Sequence, residues 1–303
     1  MLQRTLAQEV SATGVGLHSG ERVRLTLKPA AVNSGIVFCR TDLPEQPSVR
    51  VHPNLINDTR LSSTIVTETG LRIATIEHIM SAFAGLGIDN IKVELSAPEI
   101  PIMDGSSLPF IYLLESAGIV NQEQPKKFIR ILKEVTVVEK DKEVHLSPYD
   151  GFKIRLNINF DHPVINRGNQ TFEIDFKNTS YLDEIARART FGFMQEIEFM
   201  RSHNLGLGGN LNNAIVIDEG DVLNPDGLRF DDEFVRHKIL DAIGDLYVIG
   251  HPIIGFFEGI KSGHAINNKL LRALLDQPDS FEYVSFEANE QVPNSFHELP
   301  KIA

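Results

Sequence analysis

Four polar residues recur on one face of a predicted helix, within the stretch FVRHKILDAIGDLYVIG from Phe234 to Gly250. At about 100° per residue, they fall within roughly a quarter-turn, and apolar side chains lie opposite. These residues are His237, Lys238, Asp241 and Asp245. Such a face can simply be solvated, because opposite charges four residues apart support a helix by about 0.2–0.5 kcal/mol. Asp is nevertheless disfavoured in mid-helix, and a His and an Asp one turn apart can bind one metal ion, so both interpretations stay open.

A metal site in this chain has to be assembled from separate segments. The common single-helix zinc motif HExxH is absent, because His78 is followed four residues later by Ala82. Together, His78, His237 and Asp241 offer two imidazoles and one carboxylate. This set suits a catalytic Zn²⁺ that keeps one position open for water. The alternative for His78 is a structural histidine at the edge of an apolar helix.

Glu77 and His264 are the candidates for proton transfer. Glu77 is turned about 100° away from His78 on the helix, so it can miss the ion and still reach its water as a general base. The alternative is an ordinary acid in the first helical turn. His264 stands between two small residues ahead of a helical pattern, where it either serves catalysis or caps a turn. Asp245 would favour its protonated form and a helix N-terminus would disfavour it, so the sequence leaves its charge open.

The segment from Arg187 to Asp218 combines aromatic residues, a GLGG turn and a β-branched run. Glycines allow a close approach of backbone to a ligand or to another chain segment, so a phosphate could bind there. GLGG matches neither the Walker pattern nor the Rossmann fingerprint, however. A second interpretation is an apolar passage for an alkyl chain, and a third is plain core packing. The passage would be lined by Phe191, Met194, Ile197, Leu207, Ala214 and Val216, with Gly209 of the glycine turn as a further substrate contact.

Composition excludes several classes of protein. The chain has 303 residues, 42% of them hydrophobic and 23% charged, as in a soluble globular protein of two domains. A net charge of -12, without basic runs interleaved with aromatics, argues against nucleic-acid binding. The N-terminus has no apolar secretory region and no stretch is long enough to span a bilayer, so we expect a cytoplasmic protein. The single cysteine, Cys39, excludes an internal disulfide and lies in an apolar run typical of a buried residue.

Strand-like runs and helical patterns alternate in both halves, which predicts an α+β fold. Polar NQEQPKK, residues 121–127, predicts a linker between an N-terminal domain, 1–125, and a C-terminal domain, 126–303. The first would carry Glu77 and His78, and the second His237, Asp241, His264 and the insert around 191–217. A faint repeat supports two similar domains facing each other across a cleft, since EHIMSAFAGL aligns with HKILDAIGDL.

Six motifs occur in an order and spacing that resemble one family over residues 4–275. They are TGVGLHSG, TIEHIMSAFAGLGIDN, PIMDGSS, RARTFGFM, FVRHKILDAIGDL and KSGHAINNKLL. The chain is similar to the bacterial UDP-3-O-acyl-N-acetylglucosamine deacetylases of lipid A synthesis. The resemblance implies two similar α+β domains, each a small, mainly antiparallel sheet with helices, and the helices packed between the two sheets.

The resemblance also implies a role for each matching residue. It assigns His78, His237 and Asp241 to one Zn²⁺ per chain and makes Glu77 the general base. His264 would be the protonated histidine that assists the leaving amine, with Asp245 as its partner. The remaining assignments are Thr190 to the developing oxyanion, Lys238 to the diphosphate, and Phe160 and Lys142 to the nucleotide end. His18 lies in a family motif without an assigned role.

The implied activity is zinc-dependent hydrolysis of the N-acetyl group of UDP-3-O-(3-hydroxyacyl)-N-acetylglucosamine, the committed step of lipid A biosynthesis. It would release acetate and a free amine. We expect a monomeric amidohydrolase acting on a small-molecule substrate, with transient contact at most with a membrane surface. Two rivals remain at this point. One is phosphoryl transfer with GLGG as the phosphate loop and Mg²⁺ at Asp241 or Asp245, and the other is a non-catalytic nucleotide-sugar-binding module.

Overall fold

The computed structural model describes residues 1–287, Glu290 and Pro293. The end of the predicted C-terminal domain, apart from those two residues, lies outside the described part of the chain. Within the described part, no helix combines the length and the apolar character that crossing a bilayer requires.

Residues 1–117 form a five-stranded sheet, a three-stranded sheet, a first strand that pairs elsewhere, and two helices. The elements are β1 (Leu2–Leu6), β2 (Val10–Val15), β3 (Arg22–Pro29), β4 (Ile36–Arg40), β5 (Ser48–Arg50), β6 (Ile56–Asp58), β7 (Thr64–Val66), β8 (Arg72–Ile73), α1 (Glu77–Leu86), β9 (Ile91–Leu95) and α2 (Leu108–Ala117). The larger sheet has the order β2-β3-β9-β4-β5, with only β4 and β9 parallel. Strict alternation along β3 buries Val23, Leu25 and Leu27 on one face, as a half-buried strand requires.

The described residues that follow build a seven-stranded sheet, a separate two-stranded sheet, one strand that pairs with β1, and four helices. The elements are β10 (Ile119–Pro125), β11 (Phe128–Ile131), β12 (Val135–Glu139), β13 (Lys142–Ser147), β14 (Phe152–Asn157), β15 (Thr171–Asp175), α3 (Tyr181–Glu184), β16 (Phe191–Phe193), α4 (Met194–Ser202), β17 (Ile215–Ile217), α5 (Glu233–Tyr247), β18 (Ile253–Ile260), α6 (His264–Leu275) and β19 (Phe281–Val284). Strand β18 pairs with β13, β14 and β11, and only its pairings with β14 and β11 are parallel. The predicted α+β class with mainly antiparallel sheets is confirmed.

The helices form the layer between the sheets. Helix α2 packs on β2 and on α1, α1 packs on α5, and α5 packs on β14, while α6 lies on β12 and β13. One apolar cluster therefore runs without a break from Leu6 to Leu274 through both sheets and all four of these helices. Because α5 is enclosed on both sides, 13 of its 15 residues are buried. A solvated face on this helix is ruled out by that burial.

Residues 121–127 do not have the linker conformation that their polar sequence predicted. Residues 119–125 form β10, which pairs antiparallel with β1. A backbone ladder needs no apolar side chains, so a polar segment can form it on the surface. The next residue, Lys126, is 2% exposed and donates from Nζ to Asp89 Oδ2 at 2.5 Å and to the Gly87 carbonyl at 2.8 Å. The junction between the two halves is thus tied to the end of α1, and a domain boundary at residue 125 remains our proposal.

One further prediction of local structure needs correction, one helix was not predicted, and the burial of Cys39 is confirmed. The helix predicted near Tyr181 to Ala188 shortens to α3, and a helix that the pattern did not indicate, α4, begins at Met194. Met194 and Phe199 of α4 are 44% and 65% exposed, so this helix does not bury the apolar face by which a helix pattern is usually identified. Cys39 is buried, as its apolar surroundings predicted.

Candidate active site

The two histidines and the aspartate proposed as metal ligands converge on one point. The candidate ligand atoms of His78, His237 and Asp241 all lie within 4.8 Å of one another, and all three residues are buried. Nε2 of His78 is 3.4 Å, and Nε2 of His237 is 3.3 Å, from the same oxygen of Asp241. His78 comes from the first turn of α1, and the other two come from successive turns of α5. The packing of α1 on α5 therefore creates the group.

Hydrogen bonding and burial set the protonation state that a metal ion needs. Nδ1 of His237 lies 3.0 Å from the carbonyl of Ala188, to which it can only donate, so Nε2 keeps its lone pair. Burial lowers the pKa of His237 to about 3, outweighing the opposite effect of Asp241. Burial would raise the pKa of Asp241, but His237 and Lys238 hold it well below its ordinary value. Neutral imidazole and ionised carboxylate form a donor set that fits a divalent cation.

Glu77 lies beside this group without belonging to it. The side chain is 3% exposed, and its Oε2 accepts a hydrogen bond from the backbone N–H of Ser63 at 3.0 Å. Burial raises the pKa of Glu77, although the neighbouring His264 and His78 act in the opposite direction. Its other oxygen, Oε1, is 3.7 Å from Nε2 of His264. A buried carboxyl with a raised pKa has the properties expected of a general base.

His264 is the first residue of α6, and its imidazole turns toward Asp245 rather than capping the helix. Nδ1 of His264 lies 3.1 and 3.0 Å from the two oxygens of Asp245. Burial alone would lower the pKa of His264, but Asp245 and Glu77 outweigh it and raise the pKa to about 9. These contacts favour the imidazolium, one of the two forms that the sequence left open. His264 can therefore act as an acid at neutral pH.

Lys238 is hydrogen-bonded to Asp241, one of the three candidate metal ligands. Its Nζ donates to Asp241 Oδ2 at 2.7 Å, and its side chain is 19% exposed. Burial would lower the pKa of Lys238, but Asp241 raises it above the ordinary value, so the lysine is charged. A contact with a diphosphate remains a prediction for this residue.

Thr190, in the motif RARTFGFM, is hydrogen-bonded through its backbone to two other chain segments. Its N–H donates to the carbonyl of Gly105 at 2.8 Å, and its carbonyl accepts from the N–H of Ile215 at 2.8 Å. Gly105 has φ +87°, and any side chain there would run into the carbonyl of Asn213, which explains a glycine in PIMDGSS. Thr190 follows two residues after Ala188, the residue that binds His237. The segment that carries Thr190 thus contacts α5 through Ala188, and a role of Thr190 at the oxyanion remains a prediction.

Aromatic rings extend outward from the ligand group. The ring of Phe191 lies 6.4 Å from His237 and 5.0 Å from Phe234, between ring centroids. Phe160 packs on Phe191 at 5.7 Å, so it stands one ring away from a candidate ligand. Lys142 is exposed at the start of β13. The next residue of this strand, Glu143, pairs with Ile260 of β18.

The other residues of the proposed apolar passage differ in exposure. Met194 is 44% and Leu207 is 47% exposed, Ile197 and Ala214 are half-buried, and Val216 is 8% exposed. Core packing, the third interpretation of this segment, therefore accounts for Val216 but not for the exposed Met194 and Leu207. An exposed apolar lining is what a binding surface for an alkyl chain requires.

The GLGG turn brings two chain segments together. The N–H of Gly208 donates to the carbonyl of Leu17 at 3.0 Å, and the N–H of Leu207 donates to the carbonyl of His18 at 3.2 Å. A side chain at Gly208 would collide with the carbonyl of Gly16, whereas Gly209 lies against Leu17 at ordinary contact distance. The glycines serve this backbone contact, so the phosphate-loop interpretation loses its support.

Two residues of the site were not identified from the sequence. Ser63 contacts both Glu77 and Asp245, and Asn267 donates to Asp245 Oδ2 at 2.9 Å. Asn267 follows His264 by three residues and so shares its helix face, a spacing that could have indicated it. Ser63 lies in a short turn before β7, and nothing in the local pattern distinguishes it from its neighbour Ser62.

The comparisons with known proteins agree on one family over nearly the full chain. Residues 3–276 match the family described as LpxC, UDP-3-O-acyl N-acetylglycosamine deacetylase. The chain belongs to this family. A relative from Neisseria meningitidis serogroup A, named UDP-3-O-acyl-N-acetylglucosamine deacetylase, is 67% identical over 301 residues, which cover 99% of this chain and 98% of the relative. Relatives with the same name from Chromobacterium violaceum and Alcanivorax borkumensis are 64% and 58% identical, over 99% and 97% of this chain and 99% and 96% of theirs.

The resemblance noted in the sequence motifs is confirmed by this membership of the LpxC family. All six motifs lie inside the matched range of residues 3–276. Three of them, TIEHIMSAFAGLGIDN, FVRHKILDAIGDL and KSGHAINNKLL, supply the side chains that the fold brings together here.

Proposed function

We propose that the protein hydrolyses the N-acetyl group of UDP-3-O-(3-hydroxyacyl)-N-acetylglucosamine, releasing acetate and the free amine in the committed step of lipid A biosynthesis. Family membership supports the reaction, and one structural observation carries it. Residues 77 and 78, on α1, meet residues 237, 241 and 264 of the other half in a single buried cluster. Metal ligands, a base and an acid are thereby all within reach of one amide bond.

The proposed cofactor is one Zn²⁺ per chain, held by His78, His237 and Asp241. When bound, zinc supplies Lewis acidity, which lowers the pKa of water toward roughly 7 and polarises a carbonyl group. Support comes from the donor set itself, since two imidazoles and one carboxylate leave one position open. Lys238 donates to Oδ2 of Asp241 at 2.7 Å, while both histidines approach Oδ1, so one carboxylate oxygen faces the imidazoles.

Glu77 and His264 carry the proton transfers in this proposal. Glu77 takes a proton from the attacking water as the new carbon–oxygen bond forms. His264 gives the proton on Nε2 to the amide nitrogen as the carbon–nitrogen bond breaks, so the products are acetate and an amine. The imidazolium also lies 3.7 Å from Glu77, where its charge favours the ionised base. Thr190 would stabilise the oxyanion through its hydroxyl.

Substrate contacts follow from the surfaces next to the ligand group. We assign the nucleotide end to Phe160 and Lys142 and the diphosphate to Lys238, as the family resemblance implies. The acyl chain would lie along Phe191, Met194, Ile197, Gly209, Ala214 and Val216. Each methylene buried there contributes about 0.8 kcal/mol to binding, so exposed apolar side chains favour this use. We further propose that the protein acts as a monomer in the cytoplasm, where nucleotide sugars are made, with transient membrane contact at most.

The test is acetate release from the UDP-linked acylated sugar, measured together with zinc content. Glu77→Ala should lower turnover by about 10²- to 10⁴-fold and keep the metal, because only the base is removed. His78→Ala should lose both metal and activity, whereas His145→Ala, on β13 and paired with Glu143, serves as control and should change neither. Nucleotide turnover that depends on Mg²⁺ would refute the proposal, as would full activity in Glu77→Ala.

A further inference from the structure

Ser63 touches both carboxylates of the proposed proton-transfer machinery. Its backbone N–H donates to Glu77 Oε2 at 3.0 Å, and its hydroxyl donates to Asp245 Oδ1 at 2.6 Å. The residue is 2% exposed, so bulk water does not compete for either bond. One residue in a turn of the N-terminal half thus connects the base on α1 with the aspartate on α5.

The carboxylate of Asp245 is held on both of its oxygens. Ser63 donates to Oδ1, Asn267 donates to Oδ2 at 2.9 Å, and Nδ1 of His264 faces both oxygens. These donors fix the plane of the carboxylate, and the carboxylate in turn fixes the plane of the imidazole. The result is that Nε2 of His264 faces Glu77 Oε1, the oxygen that Ser63 leaves free.

The turn that presents Ser63 has an unusual backbone conformation. Leu61 adopts φ 62°, in the left-handed region that leucine rarely occupies. Such conformations persist only where the surroundings impose them, and they concentrate at functional sites. Within this turn the hydroxyl of Ser62 pairs with Thr64 at 3.3 Å, while that of Ser63 is directed at Asp245. The two neighbouring serines therefore have separate tasks.

We propose that Ser63 is a positioning residue that couples the orientation of Glu77 to that of the Asp245–His264 pair. The inference rests on the function proposed above for Glu77 and His264. Without the hydroxyl, Oδ1 of Asp245 loses its donor from the N-terminal half, and the carboxylate and the imidazole bonded to it can rotate together. The hydrogen bond from the backbone N–H of Ser63 to Glu77 remains, so the base stays in place while the acid loses its alignment.

Steady-state kinetics of three variants of the zinc-loaded protein test this coupling. Ser63→Ala should lower kcat by about 10- to 100-fold and leave KM within about twofold, since the hydroxyl of Ser63 is engaged with Asp245. Ser62→Ala is the matched control, because Ser62 is 3% exposed and its hydroxyl contacts no catalytic side chain; kcat should stay at the wild-type value. Ser63→Thr, which keeps the hydroxyl, should recover most of the lost kcat.

A second readout does not depend on activity. The Nδ1–H proton resonance of His264, identified by its absence in His264→Gln, reports the bond to Asp245. It should shift in Ser63→Ala and stay unchanged in Ser62→Ala. An unshifted resonance, a kcat of Ser63→Ala within twofold of wild type, or a kcat loss that follows zinc content or melting temperature would overturn the inference. An inactive wild-type protein would refute the proposed function instead, and the resonance would still decide the coupling.

Discussion

Gly244 sets the distance between the two helices that carry the proposed metal ligands. A methyl group at this position would lie 2.8 Å from the carbonyl carbon and 3.1 Å from the Cα of Glu77, and closer still to the carbonyl oxygen. Carbon atoms in favourable contact are about 3.5–4.0 Å apart. In Gly244→Ala, α1 and α5 must therefore separate by roughly 0.7 Å or more.

The separation should affect the metal site more than the fold. Overpacking of this kind costs about 1–3 kcal/mol of the free energy of unfolding, which leaves most domains folded. The metal site has less tolerance, because His78 stays with α1 while His237 and Asp241 move with α5. Glu77 also leaves its place beside the site. A displacement near 1 Å can lower a reaction rate by about 100-fold, and we expect a kcat loss of that size with weaker zinc binding.

Zinc affinity measured by competition with a chelator, together with kcat for acetate release, checks this expectation. Gly220→Ala is the control, because a side chain at Gly220 meets nothing within 4 Å and its backbone is not left-handed. Wild-type zinc affinity and kcat in a folded Gly244→Ala protein would refute the reasoning, since the helix spacing would then not determine the site.

Two further predictions concern ionisable groups. Activity should fall as the pH rises through about 9, where His264 loses its proton. Because Asp245 raises the pKa of His264, Asp245→Asn should move this alkaline limb of the pH–rate profile to lower pH, and an unmoved limb would contradict the assignment. Lys126→Met should lower the free energy of unfolding in urea by about 3–5 kcal/mol, because it leaves Asp89 buried without its cation. The exposed Lys127→Met should change it little, and equal losses in both variants would disprove the role of the buried ion pair.

Local patterns were sufficient to predict several helices and strands. The helix from Glu77 and that up to Leu275 were found within one residue, because apolar periodicity depends only on neighbours along the chain. The face of α5 showed unusual polar residues, but periodicity could not distinguish a solvated face from a buried site. That distinction depends on what covers the helix, and α1, which covers it, ends 147 positions before α5 begins.

The sequence by itself determined which residues could bind a metal ion or transfer a proton. The family motifs in it implied that His78, His237 and Asp241 bind the same ion. Only the tertiary structure shows which effects act on the pKa of His264, since burial lowers it, two carboxylates raise it, and their balance depends on distance. It also brought Ser63 into contact with Glu77 and Asp245 and placed residues 119–125 in a strand, and ordinary turn and linker patterns indicated neither. Long-range contacts give these residues their function, and no local pattern encodes a contact between segments far apart in the chain.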